Sequence, residues 1–326
     1  VTAIAQIKGA VEDMGFDESD QAQAVAKHLN TDHTKVMLGS SEALDVIPSL
    51  PSIYDEPFAD SSQIPTFLIS KVAKEHVTVA LSGDGGDEVF GGYNRYLWAP
   101  RIWDKVETIP AFMRPMLSSF LDSVPQACLP TIERMINKTQ SKSGGIESLD
   151  QKIYKLSRGL KSSSSEHDFY NSLITSWPNP ELLVKSDGLE SLELPYECLD
   201  QDLSSDKHPV DFLSMMMLND MTNYLPNDIL CKVDRASMAN SLETRTPFLD
   251  HKLIEFAWSM PASMKIRGTE TKWALRQILY KYVPQELIDR PKTGFSIPIA
   301  EWLRGPLRSW AAELLSEKRL ESDGYF

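Results

Sequence analysis

The chain has 326 residues, of which 42% are hydrophobic, enough apolar material for one large domain or two modest ones. A formal net charge of −13 argues against a nucleic-acid partner, because a surface that binds phosphate backbone needs clustered Lys and Arg. Cys128, Cys198 and Cys231 show neither disulfide nor zinc spacing, and no apolar run is long enough for a signal peptide or a membrane helix. We therefore expect a soluble globular protein of a reducing compartment, the cytoplasm.

The opening of the chain carries weak structural signals. Residues 1–7 are typical of the tail of a helix and residues 8–16 of a loop, so we predict no strand in this part. Apolar residues then recur at helical spacing over residues 22–29, and residues 35–38 form a predicted short strand. His33 stands at the entrance of that strand, where a lone histidine is more often structural than a ligand or a base.

A glycine-rich loop follows the next predicted strand. After a predicted helix over residues 67–75, the β-branched run at residues 77–81 predicts a buried strand. The glycines of residues 83–92 let the backbone turn with its N–H groups exposed, as in an anion-binding loop. Three carboxylates lie in the same loop: Asp84, Asp87 and Glu88. Since they would repel a bare phosphate, the loop favours Mg²⁺ with a nucleotide; the alternative is an acidic surface turn.

The pattern changes after about residue 100. Helical segments and polar loops over residues 101–206 carry no recognisable chemical signal, and a buried helix is predicted over residues 212–224. Helical spacing in residues 225–239 then places three charged side chains on one polar face: Asp228, Lys232 and Arg235. An acid four residues before a lysine can pair with it. The face is either a solvated salt-bridge ladder or an active-site surface with a cation for phosphate.

The last third of the chain offers two further basic features. Glu243 and Arg245 could brace a turn, and the next predicted helix has Lys272 in its first turn. A cation at the positive end of the helix dipole is misplaced unless an anion lies nearby. Residues 290–298 form a basic, glycine-containing loop, which is either a second anion site or a solvated turn, and a final helix is predicted over residues 302–315 before a polar tail.

Five stretches together are specific enough to indicate a family. The chain resembles the synthetase domain of glutamine-dependent asparagine synthetases, in the ATP pyrophosphatase group. The stretches occur in family order at residues 54–62 (YDEPFADSS), 81–93 (LSGDGGDEVFGGY), 232–238 (KVDRASM), 242–250 (LETRTPFLD) and 290–298 (RPKTGFSIP). The resemblance implies an α/β fold: an incomplete parallel-sheet core of the adenine-nucleotide α-hydrolase type over about residues 1–100, and a large, mostly helical part over about residues 101–326.

The resemblance also implies a reaction in two steps, with ATP and Mg²⁺ as cofactors. The side-chain carboxylate of L-aspartate attacks the α-phosphate of ATP with release of pyrophosphate, and ammonia then displaces AMP to give L-asparagine. By similarity, Lys272 neutralises phosphate charge, Asp84 is suited to accept a proton from ammonia, and Asp87 approaches Mg²⁺ and pyrophosphate. The other implied positions are Ser82, Gly83, Gly85 and Lys232 beside the adenylate, and Asp55, Glu88, Tyr93 and Arg235 as substrate or structural support.

Several family features are missing from the sequence. The Ser-Gly-Gly-x-Asp-Ser phosphate loop should end just before residue 1, and the strand that should precede residues 15–18 is not recognisable. The N-terminal glutaminase domain that liberates ammonia from glutamine is absent, and by position none of the three cysteines can replace its first-residue cysteine. We therefore expect a fragment or defective copy of a longer enzyme, which alone binds ATP weakly and turns over little. The full-length protein could form a homodimer.

Three hypotheses follow. The first is an ATP-dependent amide ligase domain that makes asparagine, and the second is a related adenylating amidotransferase that acts on another acid. The third, from another class, is a non-catalytic binding or regulatory module that has kept the fold. From the charge and the short apolar runs we expect neither a nucleic-acid nor a membrane partner.

Overall fold

The structure is a computed structural model. It describes residues 20–35, 41–121, 157–161, 165–175, 177, 211–289, 297 and 299–324, and the backbone alone of residues 2–8, 19, 36–40 and 122. The chain forms two compact units, the first built from residues 1–92 and 219–326 and the second from residues 93–218. All of the described strands lie in the first unit.

The described strands are short and fewer than the helices. In chain order the first unit begins with β1 Thr2–Lys8, α1 Ser19–His28, β2 His33–Gly39, α2 Ser40–Val46, α3 Leu50–Tyr54, α4 Gln63–Lys74, β3 Val79–Leu81 and α5 Gly86–Phe90. Next come α6 Arg95–Glu107, α7 Arg114–Asp122, α8 Glu166–Ile174, α9 Phe212–Asn219, a π-helix at Asp220–Leu230, α10 Cys231–Met238 and β4 Glu243–Arg245. The remaining helices are α11 His251–Ser259, α12 Ala262–Lys265, α13 Trp273–Leu279, α14 Gln285–Ile288, α15 Ile299–Arg304, α16 Arg308–Leu314 and α17 Glu317–Asp323.

Two parallel strand pairs form the described sheet structure. β1 pairs with β2 from Thr2 opposite His33 to Lys8 opposite Gly39, and α1 provides the crossover between them. β3 pairs with β4, with Val79 opposite Glu243 and Leu81 opposite Arg245. Parallel neighbours joined by helices are typical of α/β proteins, so the predicted α/β class is confirmed at this level.

The prediction of no strand at the start of the chain is wrong. Residues 2–8 form β1, where we predicted the tail of a helix, so a strand does precede residues 15–18. Ile4 and Ile7, three residues apart, suggested helical spacing, and two alanines added helix propensity. Pairing with β2 along seven residues outweighs that local preference, as tertiary context commonly does. The rest of the predicted loop, residues 9–16, lies outside the described residues.

The strand before the glycine loop is shorter and more exposed than predicted. We expected a buried strand over residues 77–81, but β3 covers only Val79–Leu81 and follows the pattern exposed, intermediate, exposed. Leu81 is 75% exposed. Its only described sheet partner is β4, so β-branched composition correctly indicated a strand and incorrectly indicated its burial.

Other predicted elements are confirmed with shifted ends. The helix over residues 22–29 corresponds to α1, the strand over residues 35–38 to β2, and the helix over residues 67–75 to α4. The helix predicted over residues 212–224 consists of α9 followed by a π-helix, and Pro226 lies in the π-helix. The predicted final helix is interrupted between α15 and α16, and the predicted polar tail contains α17.

Separate apolar clusters stabilise each unit. In the first unit, one cluster packs α2 and α4 against α15, through buried side chains that include Ile64, Leu68 and Trp302. A second cluster joins α5 to α11 through Val89, Phe90 and Ala257. In the second unit, the Trp103 ring lies 5.5 Å from the Phe169 ring and 6.5 Å from the Phe212 ring. In the part of the chain described, no helix has the length and apolar composition needed to cross a bilayer.

Leu81, the last residue of β3, and Leu242, just before β4, allow a test of the exposure of β3. Because Leu81 is 75% exposed and Leu242 only 2%, Leu81→Ala should lower the free energy of unfolding by less than about 0.5 kcal/mol and Leu242→Ala by about 2–4 kcal/mol. Urea unfolding followed by circular dichroism measures both. Equal costs at the two positions would contradict the exposure of β3.

Candidate active site

The β3–β4 pair brings two of the sequence motifs together. Directly after β3, the Ser82 backbone N–H donates a hydrogen bond to the Arg245 carbonyl oxygen at 2.8 Å. This bond extends the parallel contact between the two segments by one residue. The residues after β4 therefore run beside the glycine loop that begins at Ser82. Within β4 the Arg245 Nε donates a hydrogen bond to the Glu243 carboxylate at 2.7 Å, and both side chains are exposed.

Two glycines are required by the shape of the loop. Gly85 has φ +83°, and a Cβ at this position would overlap the Leu249 side chain. Gly86 begins α5, and a Cβ there would lie 3.1 Å from the Phe248 ring. Both neighbours come from the segment after β4, so the close approach of the two motifs depends on the missing side chains.

The loop carboxylates have different surroundings. The Ser82 hydroxyl donates a hydrogen bond to the half-buried Asp84 carboxylate, while Gly83 between them is exposed. Asp87 lies in the first turn of α5, with 25% of its side chain exposed. Glu88 is 1% exposed and faces the interior. Asp84 and Asp87 are thus the two loop acids accessible to a ligand.

Lys272 is brought to the loop from a distant part of the chain. Its Nζ lies 3.1 Å from Asp87 Oδ2, with 29% of the lysine side chain exposed. Lys272 immediately precedes α13 instead of lying in its first turn as predicted, and its backbone is left-handed at φ +52°. A lysine at the start of a helix is stabilised by a nearby anion, and for Lys272 that anion is Asp87. That Asp84 and Lys272 share one pocket stays a prediction.

A second charged cluster lies around Lys232 on α10. Lys232 Nζ is 2.6 Å from Asp60 Oδ2, and only 11% of the lysine side chain is exposed. Asp60 also accepts hydrogen bonds from the Ser62 N–H and hydroxyl. Burial opposes ionisation of Asp60. The hydrogen bond and the charge of Lys232, together with the hydrogen bonds from Ser62, nevertheless hold the pKa of Asp60 below the usual range. Lys232 is therefore in a largely buried ion pair, not in a solvated ladder.

Asp228 lies beside this pair. Its spacing from Lys232 allowed the two to pair, but the lysine's ion pair is with Asp60. Burial, and then the charge of Asp60, raise the pKa of Asp228 to about 6, although Lys232 opposes the shift. Asp228 Oδ1 is buried and has no hydrogen-bond partner among the described residues.

Tyr54 and Arg235 connect this cluster to the first motif. The buried Tyr54 stacks on Phe58 at 4.7 Å, and its hydroxyl donates to the Lys232 carbonyl oxygen at 3.2 Å. Burial raises the pKa of Tyr54. Arg235 donates to the Tyr54 carbonyl oxygen at 2.6 Å and lies 3.6 Å from the exposed Asp55 carboxylate. Arg235 and Asp55 thus brace the end of α3, where Asp55 has φ +60°.

The predicted residues fall into three locations. Ser82, Gly83, Asp84, Gly85, Asp87, Glu88 and Lys272 belong to the glycine loop and its contact, whereas Asp55, Lys232 and Arg235 belong to the second cluster. Tyr93 lies in the second unit, where the Arg95 guanidinium stacks on its ring at 4.0 Å. The basic loop is outside the described residues at 290–296 and 298. Sequence reasoning missed Asp60 as the partner of Lys232, because 172 positions separate the two and no local pattern links them.

The raised pKa of Asp228 predicts a pH-dependent stability. Between about pH 4 and 6 the folded chain holds a proton that the unfolded chain has released, so stability present below pH 4 is lost as the pH rises to 6. Asp228→Asn removes this loss. Relative to wild type, the variant should gain about 1 kcal/mol of unfolding free energy between pH 4 and pH 7, a value reduced for solvent screening.

Asp234→Asn is the matched control for this measurement, because it removes a carboxylate from an exposed position on α10. Urea unfolding at four or more pH values compares the two variants with wild type. A stability difference for Asp228→Asn that does not change with pH would contradict the assigned environment.

Comparisons with known proteins cover nearly the whole chain. A family model described as asparagine synthase matches residues 4–326. Asparagine synthetase [glutamine-hydrolyzing] 1 of Bacillus subtilis is 30% identical over 313 residues, which are 95% of this chain and 45% of that protein. A putative asparagine synthetase [glutamine-hydrolyzing] of Mycobacterium bovis is 31% identical over 298 residues, 91% of this chain and 42% of that protein.

A more distant relative has a different name. An amidase of Penicillium rubens is 22% identical over 340 aligned residues, covering 96% of this chain and 46% of that protein. The chain thus spans somewhat less than half the length of the relatives it matches. Because the family model matches the chain from residue 4 to its last residue, this chain belongs to the asparagine synthase family.

Proposed function

We propose that this chain is the ATP-dependent amide-forming part of a glutamine-hydrolysing asparagine synthetase. The side-chain carboxylate oxygen of L-aspartate forms a bond to the α-phosphorus of ATP, and pyrophosphate leaves. Ammonia then attacks the acyl carbon of the β-aspartyl adenylate, AMP leaves, and asparagine forms. The proposal is supported by the family match and by the names of the two bacterial relatives.

The observation that carries the proposal is the contact between Lys272 and the glycine loop. Adenylation moves negative charge onto the departing pyrophosphate, so a fixed cation near the phosphates stabilises the transition state more than the ground state. Lys272 lies 3.1 Å from Asp87, with both side chains partly exposed, so its ammonium is within reach of a ligand at the loop. We assign phosphate neutralisation to Lys272.

Asp84 is our candidate for the proton acceptor of the second step. Its half-buried carboxylate accepts a hydrogen bond from the Ser82 hydroxyl. Gly83 is exposed and has nothing within 4 Å of its Cβ position, which leaves space for an adenylate beside the loop backbone. A carboxylate there can take the proton that nitrogen loses as the C–N bond forms.

The donor groups of the loop fit Mg²⁺ that arrives with a nucleotide. Magnesium in nucleotide sites commonly takes one or two carboxylates together with phosphate oxygens and water. Asp87 offers one such carboxylate at the protein surface, and a cation bound to it would take the place of the Lys272 ammonium, which could then contact a phosphate oxygen. When bound, the ion would supply charge neutralisation for the pyrophosphate; we propose Asp87 as its protein ligand.

Lys232 is better suited to support than to phosphate binding. Its ammonium is already within 2.6 Å of Asp60 and only 11% of the lysine side chain is exposed, so moving it to a ligand would break a largely buried ion pair. We propose that Lys232, Arg235 and Asp55 hold the first motif against α10. The roles of Glu88 and Tyr93 are proposed on family resemblance alone.

The finer fold and the whole protein's context are also proposals. The two parallel pairs lie in one unit and are proposed to be parts of an ATP pyrophosphatase-type sheet, with the glycine loop at the carboxyl end of β3. The names of the bacterial relatives, which are glutamine-hydrolysing, support ammonia supply from glutamine by a glutaminase domain. A homodimer and a cytoplasmic location are proposed for the complete protein.

A second candidate keeps the chemistry and changes the acid. The relatives named amidases, from Penicillium rubens and Gibberella zeae, align with 96% of this chain at 22% and 23% identity. Adenylation of a carboxylic acid other than aspartate would use the same loop and lysine. The acid substrate therefore has to be measured.

Removal of the Lys272 ammonium tests the proposed reaction. Lys272→Ala should lower the rate of aspartate-dependent pyrophosphate release by about 10²- to 10³-fold, the typical loss when one transition-state donor is removed. Lys281→Ala, at an exposed lysine just beyond α13, should change the rate by less than about twofold. The assay uses the complete polypeptide that the gene encodes, with ATP, Mg²⁺ and ammonia.

The same assay separates the two candidate functions. Pyrophosphate release that requires L-aspartate, with asparagine detected by mass spectrometry, supports the synthetase. Release that requires another acid supports the second candidate. Equal rates for Lys272→Ala and wild type would contradict both.

A further inference from the structure

Gly92 lies next to the side chains of the Asp87–Lys272 ion pair. It follows Gly91, which ends α5 with φ +68°, and its own N–H donates a hydrogen bond to the Asp87 carbonyl oxygen at 2.7 Å. Gly92 is buried and is not among the residues with positive φ. Its backbone conformation is therefore open to other residues, and a different constraint must explain a glycine there.

That constraint is steric and involves the ion pair itself. A Cβ placed on Gly92 would overlap Asp87 Oδ1 and the Lys272 Cε. The two side chains therefore meet across the bare Cα of Gly92. In contrast, a Cβ on Gly83, in the same loop, would have nothing within 4 Å.

The rest of Lys272 has little freedom to move away. Its carbonyl oxygen accepts the Arg276 N–H at 2.9 Å, which anchors it to the first turn of α13. One turn further on, Leu275 packs against the cluster that contains Val89 and Phe90 of α5. The left-handed backbone of Lys272 is thus held by packing, and only the far end of its side chain can respond to a change at residue 92.

We propose that Gly92 is a positioning residue for Lys272. Its missing side chain forms the gap in which the ammonium lies against Asp87 at the edge of the glycine loop. The significance of this position for phosphate rests on the function proposed above, whereas the dependence of the ion pair on Gly92 does not. A methyl group at residue 92 would overlap the Asp87 carboxylate group, including its Cγ, and the far end of Lys272, so both side chains must turn away and the pair is broken. Because all of these atoms belong to side chains, we expect the backbone fold to be kept.

Lysine labelling of the ligand-free chain tests this inference. An amine-reactive reagent is applied under native conditions, and the labelling rate of Lys272 is read by peptide mass spectrometry for four proteins: wild type, Gly92→Ala, Asp87→Asn and the double variant. Loss of a partly exposed ion pair should raise the Lys272 rate about two- to fivefold in each single variant. The double variant should show no further rise, because both changes remove the same contact.

Gly83→Ala is the matched control, since it adds the same methyl group to the same loop in open space and should leave the Lys272 rate at the wild-type value. Thermal unfolding, with the labelling of other lysines, reports whether each variant is folded. A folded Gly92→Ala with a wild-type Lys272 rate would overturn the inference. So would unfolding of Gly92→Ala, because the inference requires the neighbouring side chains to yield. No ATP or activity enters the measurement, so it stands or fails separately from the proposed reaction.

Discussion

The parallel contact between β3 and β4 is the constraint on which the candidate site depends. It covers only three residue pairs, yet it fixes the segment after β4 beside the glycine loop. Leu249 and Phe248 then fill the space that Gly85 and Gly86 leave. α11, which follows this segment, packs on α5, and the same apolar cluster takes in Leu275 of α13. Lys272, at the start of α13, reaches Asp87 through this succession of contacts.

Two ion pairs in the first unit differ in what they can do. The two carboxylates are similarly exposed, Asp60 at 22% and Asp87 at 25%, so the difference lies in the lysines. The Lys232 side chain is 11% exposed, and loss of Asp60 would leave a largely buried ammonium without its counter-charge, at a typical cost of about 3–5 kcal/mol. The Lys272 side chain is 29% exposed, so water or a ligand can replace Asp87 as its partner at small cost. The proposed division between support and catalysis follows from this difference between the two lysines.

Much of the architecture could be predicted from local pattern, and the errors have identifiable causes. The helical spacing over residues 22–29 and the glycine loop were readable, because period and turn chemistry are local properties. The strand at the start of the chain was missed because its evidence is a partner, β2, more than twenty residues away. The pairing of Lys232 with Asp60 was missed for the same reason, while a nearer acid, Asp228, offered a plausible partner. The expectation of an anion near Lys272 came from helix electrostatics, and the structure supplies Asp87.

We expect Lys272 to leave Asp87 for phosphate when a nucleotide binds at the glycine loop. The most direct measurement is a crystal structure of the chain with Mg²⁺ and a non-hydrolysable ATP analogue. That structure should show a phosphate oxygen within about 2.7–3.2 Å of Lys272 Nζ. The expectation would be contradicted by a bound nucleotide whose phosphates lie elsewhere while Lys272 remains paired with Asp87.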